Sequence, residues 1–183
     1  VADFTAGERK LLGRMLAQGI NSPATSSVGR LFDAVASLLG FVQRTSYEGP
    51  AGMALEFAAG AAMTESRYVI TTGPAGDCVD TSLVLDWEPM LRMMLADVAG
   101  GSDASRIAFA FHVSMAAAIV DVALQVNEKR VVLSGGCFLN RVLTELTIMR
   151  LRDAGLEPFW HRDVPPIDGG LALGQLLWAA RET

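Results

Sequence analysis

The sequence predicts an α/β domain, helix-rich with a small mixed sheet. Three observations carry that prediction. Alanine, leucine and methionine recur at helical spacing through most of the chain. Short β-rich runs, with residues 130–133 the best of them, lead into glycines and then into helical pattern. In the last third, strand and helix alternate, the order that pairs strands in parallel. The chain has 183 residues, 51% hydrophobic and 19% charged. That length fits one domain with a sizeable core, so residues 1–183 are expected to form a single domain.

The elements follow in order. Residues 6–19 place Leu11, Leu12, Met15 and Leu16 on one helical face, with Gly19 to end it. The loop Asn21-Ser22-Pro23-Ala24-Thr25-Ser26-Ser27 is rich in turn and cap residues, and Thr25 or Ser26 can cap a helix running to Leu39 and Gly40. Residues 51–63 read as a helix of small residues. Residues 67–71 and 79–85 are short strand candidates around the turn Gly73-Pro74-Ala75-Gly76-Asp77. Asp86-Trp87-Glu88-Pro89 opens a helix that ends at Gly100-Gly101. Residues 103–127 are apolar nearly all round and predict the central buried helix. After the strand at 130–133 come a helix over 139–153, a strand over 157–160, a stiff Pro165-Pro166 loop and a last helix over 171–181.

Composition excludes some functions. The net charge is −5 and no basic run of five or more occurs, which argues against nucleic-acid and membrane-surface binding. The most apolar stretch, residues 107–124, is interrupted by His112, Ser114 and Asp121, so no membrane span is expected. Two cysteines, Cys78 and Cys137, form no Cys-x-x-Cys, and a reducing, cytoplasmic setting fits them. The first residues lack the basic start and apolar core of a signal peptide. Without an initiator methionine, the chain reads as processed or as a piece of something larger. Its apolar excess suits a face covered by another domain or by a second copy in a homodimer.

Three constellations could carry chemistry. In Val131-Val132-Leu133-Ser134-Gly135-Gly136-Cys137-Phe138-Leu139-Asn140, a strand feeds a helix through two glycines. Such a turn exposes backbone N–H groups at the positive end of a helix, where an anion binds, and Asn140 is placed to reach the same ligand. The competing reading is that glycine serves only to turn the chain. In the second, Gly29 and Asp33 lie one turn apart on one helix. A gap beside a carboxylate suits a ribose diol; equally, Gly29 can relieve a tight helix crossing while Asp33 is solvated or paired. In the third, Asp168 stands before Gly169-Gly170 and a helix, as an N-cap or as a ligand to a hard cation beside phosphates. His112 reads as a satisfied core histidine, His161 as a rim residue and Cys137 as a small packed hydrophobe.

Taken together, Asn21-Ser22-Pro23, Thr25-Ser26-Ser27, Gly29-Arg30-Leu31-Phe32-Asp33, Tyr47-Glu48-Gly49, Phe111-His112, Leu133-Ser134-Gly135-Gly136, Asn140-Arg141, Pro165-Pro166 and Asp168-Gly169-Gly170 resemble the HypF carbamoyltransferase family of hydrogenase maturation. The match runs through almost the whole chain in family order. It implies the second lobe of an actin-like ATPase (ribonuclease H-like) domain. It also implies that Gly29 and Asp33 hold a nucleoside, that Gly135, Gly136 and Asn140 form a nucleotide-binding turn, and that Asp168 ligates the active-site metal. The family's chemistry uses ATP and carbamoyl phosphate to make carbamoyl-adenylate. It then carbamoylates the C-terminal cysteine of HypE, and dehydration yields the cyanide ligand of the [NiFe] centre. The implied cofactors are therefore ATP or carbamoyl-adenylate and a divalent metal: Mg, or Fe or Zn at a site shared with the other lobe.

The family's His-x-x-x-His and Asp-x-Gly-x-Thr motifs do not occur in this chain. The resemblance therefore implies one lobe of a larger multidomain protein, with HypE and its own upstream domains as partners. Two other readings stand beside it: a HypE-docking module without catalysis, and tRNA threonylcarbamoyl transfer as in the related protein TsaD. The acidic balance and the Pro-Pro-x-Asp-Gly-Gly form speak against the latter.

Overall fold

The structure, a computed structural model, describes residues 3–47, 49–74 and 83–181. Its chain divides into two compact units, Val1–Ala54 and Leu55–Thr183. The boundary falls within a helix.

The first unit begins with α1, Ala6–Ala17. Thr5 and Glu8 form a reciprocal capping box at its start, satisfying two otherwise orphaned N–H groups. Arg44 pairs with Glu8 at 2.6 Å. That cation and the Thr5 bonds hold the Glu8 carboxyl down to about 2, with the Thr5 backbone bond the largest cause. Helix α2, Val28–Leu38, is capped by Ser27, one or two residues later than the cap read from sequence. It buries Phe32, Val35 and Ala36 at i, i+3 and i+4, and Gly40, at φ +78, ends it. The boundary helix is α3, Pro50–Ala59.

The second unit holds the rest. Strands β1, Thr71–Pro74, and β2, Leu83–Asp86, pair antiparallel, with Thr71 opposite Asp86. Strand β1 lies a few residues later than expected and takes in Gly73 and Pro74 of the predicted turn, while β2 coincides with the end of the expected strand over 79–85. Residues 75–82, with Cys78 and most of the expected turn, lie outside the described residues. Helix α4 is Glu88–Ala99, with Pro89 tolerated in its first turn. Helix α5, Ala104–Val126, is capped by Asp103, which accepts from the N–H groups of Ser105 and Arg106. By length and composition α5 is apolar enough to cross a membrane, but 61% of its most apolar window is buried in protein. It is the core helix that the sequence predicts, packed against α4 and α6, Arg141–Asp153.

Strand β3, Arg130–Leu133, and β4, Glu157–Trp160, pair in parallel across the α6 crossover, with Leu133 opposite Trp160. One mixed sheet was expected. The described strands instead form two separate pairs, one antiparallel and one parallel. Leu133 anchors β3 in a cluster with Val120 and Leu151, against which Val131, Phe138, Ile148 and Trp160 pack. Helix α7, Leu171–Ala179, ends the chain and buries none of its residues.

A polar clip ties the segment before β1 to α5. The buried Ser114 hydroxyl accepts the Tyr68 N–H at 2.8 Å and donates to the Ala110 carbonyl at 2.6 Å. The Tyr68 hydroxyl donates to Asp97 on α4 at 2.7 Å. Burial, then that carboxylate, pushes the phenol above its ordinary pKa. Replacing Ser114 by alanine strands the Tyr68 N–H in the core, a loss of about 1–3 kcal/mol. Urea denaturation of Ser114→Ala against the parent chain is expected to show a lower midpoint with an unchanged slope.

Candidate functional site

Two loops leave the C-terminal ends of β3 and β4, the ends at which parallel α/β sheets bind ligands. The first is the glycine turn. Gly135 adopts φ +100 and ψ 162, backbone that only glycine enters readily. A single 3₁₀ turn, Gly136–Leu139, then precedes α6. Sequence periodicity predicts a helix from Leu139; the structure inserts this turn, and Asn140, extended at ψ 111, is the true N-cap. The second loop is Val164-Pro165-Pro166-Ile167, closed by a 3₁₀ turn at Asp168–Gly170.

One backbone bond joins the loops: the Gly135 N–H donates to the Pro166 carbonyl at 3.1 Å. Gly136 lies close to the same loop, since a Cβ there would stand 3.6 Å from the Ile167 side chain. At Gly170 a Cβ would come within 2.6 Å of the Pro165 carbonyl oxygen, so glycine is required by close approach. Together the loops line an open cleft of about 690 Å³ with Ser134, Gly135, His161, Asp168 and Gly170 on its walls, and with Gln175 and Trp178 contributed by α7. Asp168 is exposed, and its carboxylate caps no helix.

The start of α6 differs from the sequence expectation. Three of its first four N–H groups are met by protein: the Asn140 side-chain oxygen accepts from Leu143 at 2.9 Å, the Asn140 carbonyl from Thr144 at 3.0 Å and the Glu56 carboxylate from Arg141 at 3.0 Å. These three, and the Gly135 N–H, are therefore already engaged within the protein. What remains at the turn are the first N–H groups of the short 3₁₀ segment, Gly136 and Cys137, which have no intrahelical acceptor.

Asn140 is buried, and its amide nitrogen lies 3.0 Å from His112 Nε2. His112 Nδ1 lies 2.7 Å from the Ala108 carbonyl. That carbonyl only accepts, so Nδ1 carries the proton and Nε2 accepts from Asn140. The histidine is the satisfied core residue that the sequence suggests, and the Asn140 amide is spent holding α5 to the turn. Burial, above all, lowers the His112 pKa. Burial likewise pushes the Cys137 thiol up, as befits a packed side chain.

In the first unit, Gly29 is the second residue of α2, not an interior one, and its missing Cβ would meet only Ser27 Oγ at 3.5 Å. Asp33 pairs with Arg30 at 2.9 Å. Gly29 and Asp33 thus share one helix in the first unit; in the second, Gly135 and Asp168 line one cleft, Gly136 lies beside Ile167 of the same loop, and Asn140 turns its amide to His112 instead.

Sequence reasoning missed three contacts. They are the Glu56 cap of α6, the His112–Asn140 pair, and a bond of 3.1 Å between Ser134 Oγ and His161 Nε2. The last had a signal: both residues directly follow strands predicted to pair in parallel. Among the described residues, no three His, Cys, Asp or Glu side chains gather to hold a metal.

Two outcomes are expected. Asn140→Ala removes a cap and orphans the His112 ring, costing about 2–4 kcal/mol in urea denaturation. His112 keeps a folded pKa below its ordinary 6.5. The unfolded chain therefore binds more protons below that pH, and stability falls as the pH drops through about 6.5. Above it, this contribution is complete. Denaturation midpoints read between pH 5 and 8 are expected to show that decline flattened in His112→Gln, to about the extent that His112 causes it.

The geometry has counterparts in known proteins. The chain is 40% identical over 182 residues to carbamoyltransferase HypF of Rhodobacter capsulatus, covering 97% of this chain and 22% of that protein. It is 38% identical over 164 residues to the HypF of Synechocystis sp., covering 90% of this chain and 21% of that protein. It thus spans about a fifth of these curated relatives. A full-length HypF solved in its phosphate- and nucleotide-bound form superposes with a TM-score of 0.84 at 32% identity, over 98% of this chain and 28% of that one. HypF of T. kodakarensis superposes at 0.74 and 30% identity, over 93% and 22%. Residues 2–175 match the model of the second subdomain of the carbamoyltransferase Kae1-like domain, and the chain belongs to that family.

Proposed function

We propose that this chain is the nucleotide- and metal-facing half of a carbamoyltransferase domain of the actin-like ATPase type, acting in [NiFe]-hydrogenase maturation. The observation that carries the reading is the cleft at the ends of β3 and β4, where a glycine turn and a lone exposed carboxylate, Asp168, face one space. The kinship with a HypF solved with phosphate and nucleotide supports it. In this reading the turn at Gly135 and Gly136 receives the phosphates of ATP or carbamoyl-adenylate, shaped from behind by Asn140. A nucleoside contact at Gly29 and Asp33 is proposed separately, on the family resemblance alone.

The donor set fits a divalent metal as a half-site. Asp168 is a hard oxygen ligand on a loop stiffened by two prolines, suited to Mg or to Fe or Zn. Substrate oxygens and a preceding lobe would complete the coordination. When bound, the ion neutralises charge on the phosphates and polarises the carbamoyl oxygen. The residues of this chain orient the substrate and keep the cleft in register. The acceptor is the C-terminal cysteine of HypE, in the cytoplasm, and the other partners are the upstream domains.

Calorimetry with ATP and Mg²⁺ tests the reading. A longer polypeptide that includes the preceding lobe is expected to bind, with Asp168→Ala weakening binding by about tenfold or more, the scale of one charged ligand. The chain by itself is expected to bind weakly and to transfer nothing. Unaltered binding in Asp168→Ala, or full transfer by the short chain, sinks it.

A further inference from the structure

We propose that His161 is the base that takes the proton of the acceptor thiol, with Ser134 positioning its ring. The proposal rests on the carbamoyl-transfer reading. Leu133 and Trp160 are the last paired residues of β3 and β4, so Ser134 and His161 stand side by side one step beyond the sheet. Their side chains meet at 3.1 Å. Both line the cleft that holds Asp168, and His161 also borders a smaller cavity of about 250 Å³ beneath the Pro165-Pro166 loop. The imidazole is exposed, so a protein or peptide thiol reaches it.

No other described group is so placed. His112 is buried with both ring nitrogens engaged, and Asp168 is assigned to the cation. Thiols near pH 7 are mostly protonated, and transfer to one needs a proton acceptor. A serine hydroxyl can accept the Nε2–H at this contact, the tautomer in which Nδ1 is the proton acceptor.

The step balances without an oxidant or reductant. The thiol S–H bond breaks and its proton goes to Nδ1. Sulfur forms the S–C bond to the carbamoyl carbon. The bond from that carbon to the phosphate oxygen breaks, and its electron pair leaves with the phosphate. The imidazolium then returns its proton to water.

The test uses the full-length polypeptide that carries this domain, carbamoyl phosphate with ATP, and a peptide ending in cysteine. His161→Gln is expected to lower the transfer rate by about 100-fold or more. With an aromatic thiol that is already ionised at the assay pH, the loss is expected to shrink to under about threefold. Ser134→Ala is expected to cost about tenfold, and Ser134→Thr to restore most of it, since the hydroxyl sets the tautomer. A wild-type rate in His161→Gln, or an equal loss with both thiols, overturns the base. If the unsubstituted polypeptide transfers no carbamoyl group at all, the underlying reading fails and His161 falls with it.

Discussion

The hydrogen bond from the Gly135 N–H to the Pro166 carbonyl is the constraint on which the rest of the second unit's cleft depends. Parallel pairing of β3 and β4 brings two loop origins together, but it does not fix where the loops go. The bond makes one loop the template of the other. Gly135 reaches it only through positive φ, and the Pro-Pro pair offers its carbonyl from a backbone with little freedom. Asp168 is two residues past that carbonyl, so its position is inherited from the glycine turn. Side chains at Gly135 or Gly170 would break this arrangement for different reasons, one torsional and one steric.

Much of this was legible in the sequence, and the reasons for the rest are local. The central helix, the β3 strand and the α6 crossover follow from long periodic runs, and their ends agree to within a few residues. The β1 strand was misplaced because a run as short as residues 67–71 gives periodicity little to act on. The start of α6 was misread because a 3₁₀ turn keeps Phe138 and Leu139 near helical spacing while the true cap is Asn140. Asn140 was expected to reach a ligand, whereas its amide meets His112 and its oxygen caps α6. Its buried partners lie 28 residues away in sequence, at His112, and one-dimensional spacing carries no such information.

The same limit explains the donors of the glycine turn. A strand, two glycines and a helix predict exposed N–H groups, and they were expected to face a ligand. Asn140 caps the buried Leu143 N–H and Glu56 the exposed Arg141 N–H, so part of the α6 terminus is already engaged. What the pattern does predict, and the structure provides, is a backbone free of Cβ atoms at the cleft wall. Close approach, more than helix polarity, is what the glycines supply here.

The His112–Asn140 pair has a further consequence for how the core finds one arrangement. Helix α5 is apolar around nearly its whole circumference, and apolar contact alone has no direction, so it discriminates only through side-chain shape between one setting of the helix and the next. A shift along its axis by one turn moves each side chain by about 5.4 Å. That displacement would pull the imidazole from the cap of α6 and bury two polar groups without partners, a cost of several times thermal energy. The pair therefore works as an alignment pin: it raises every neighbouring well relative to the native one.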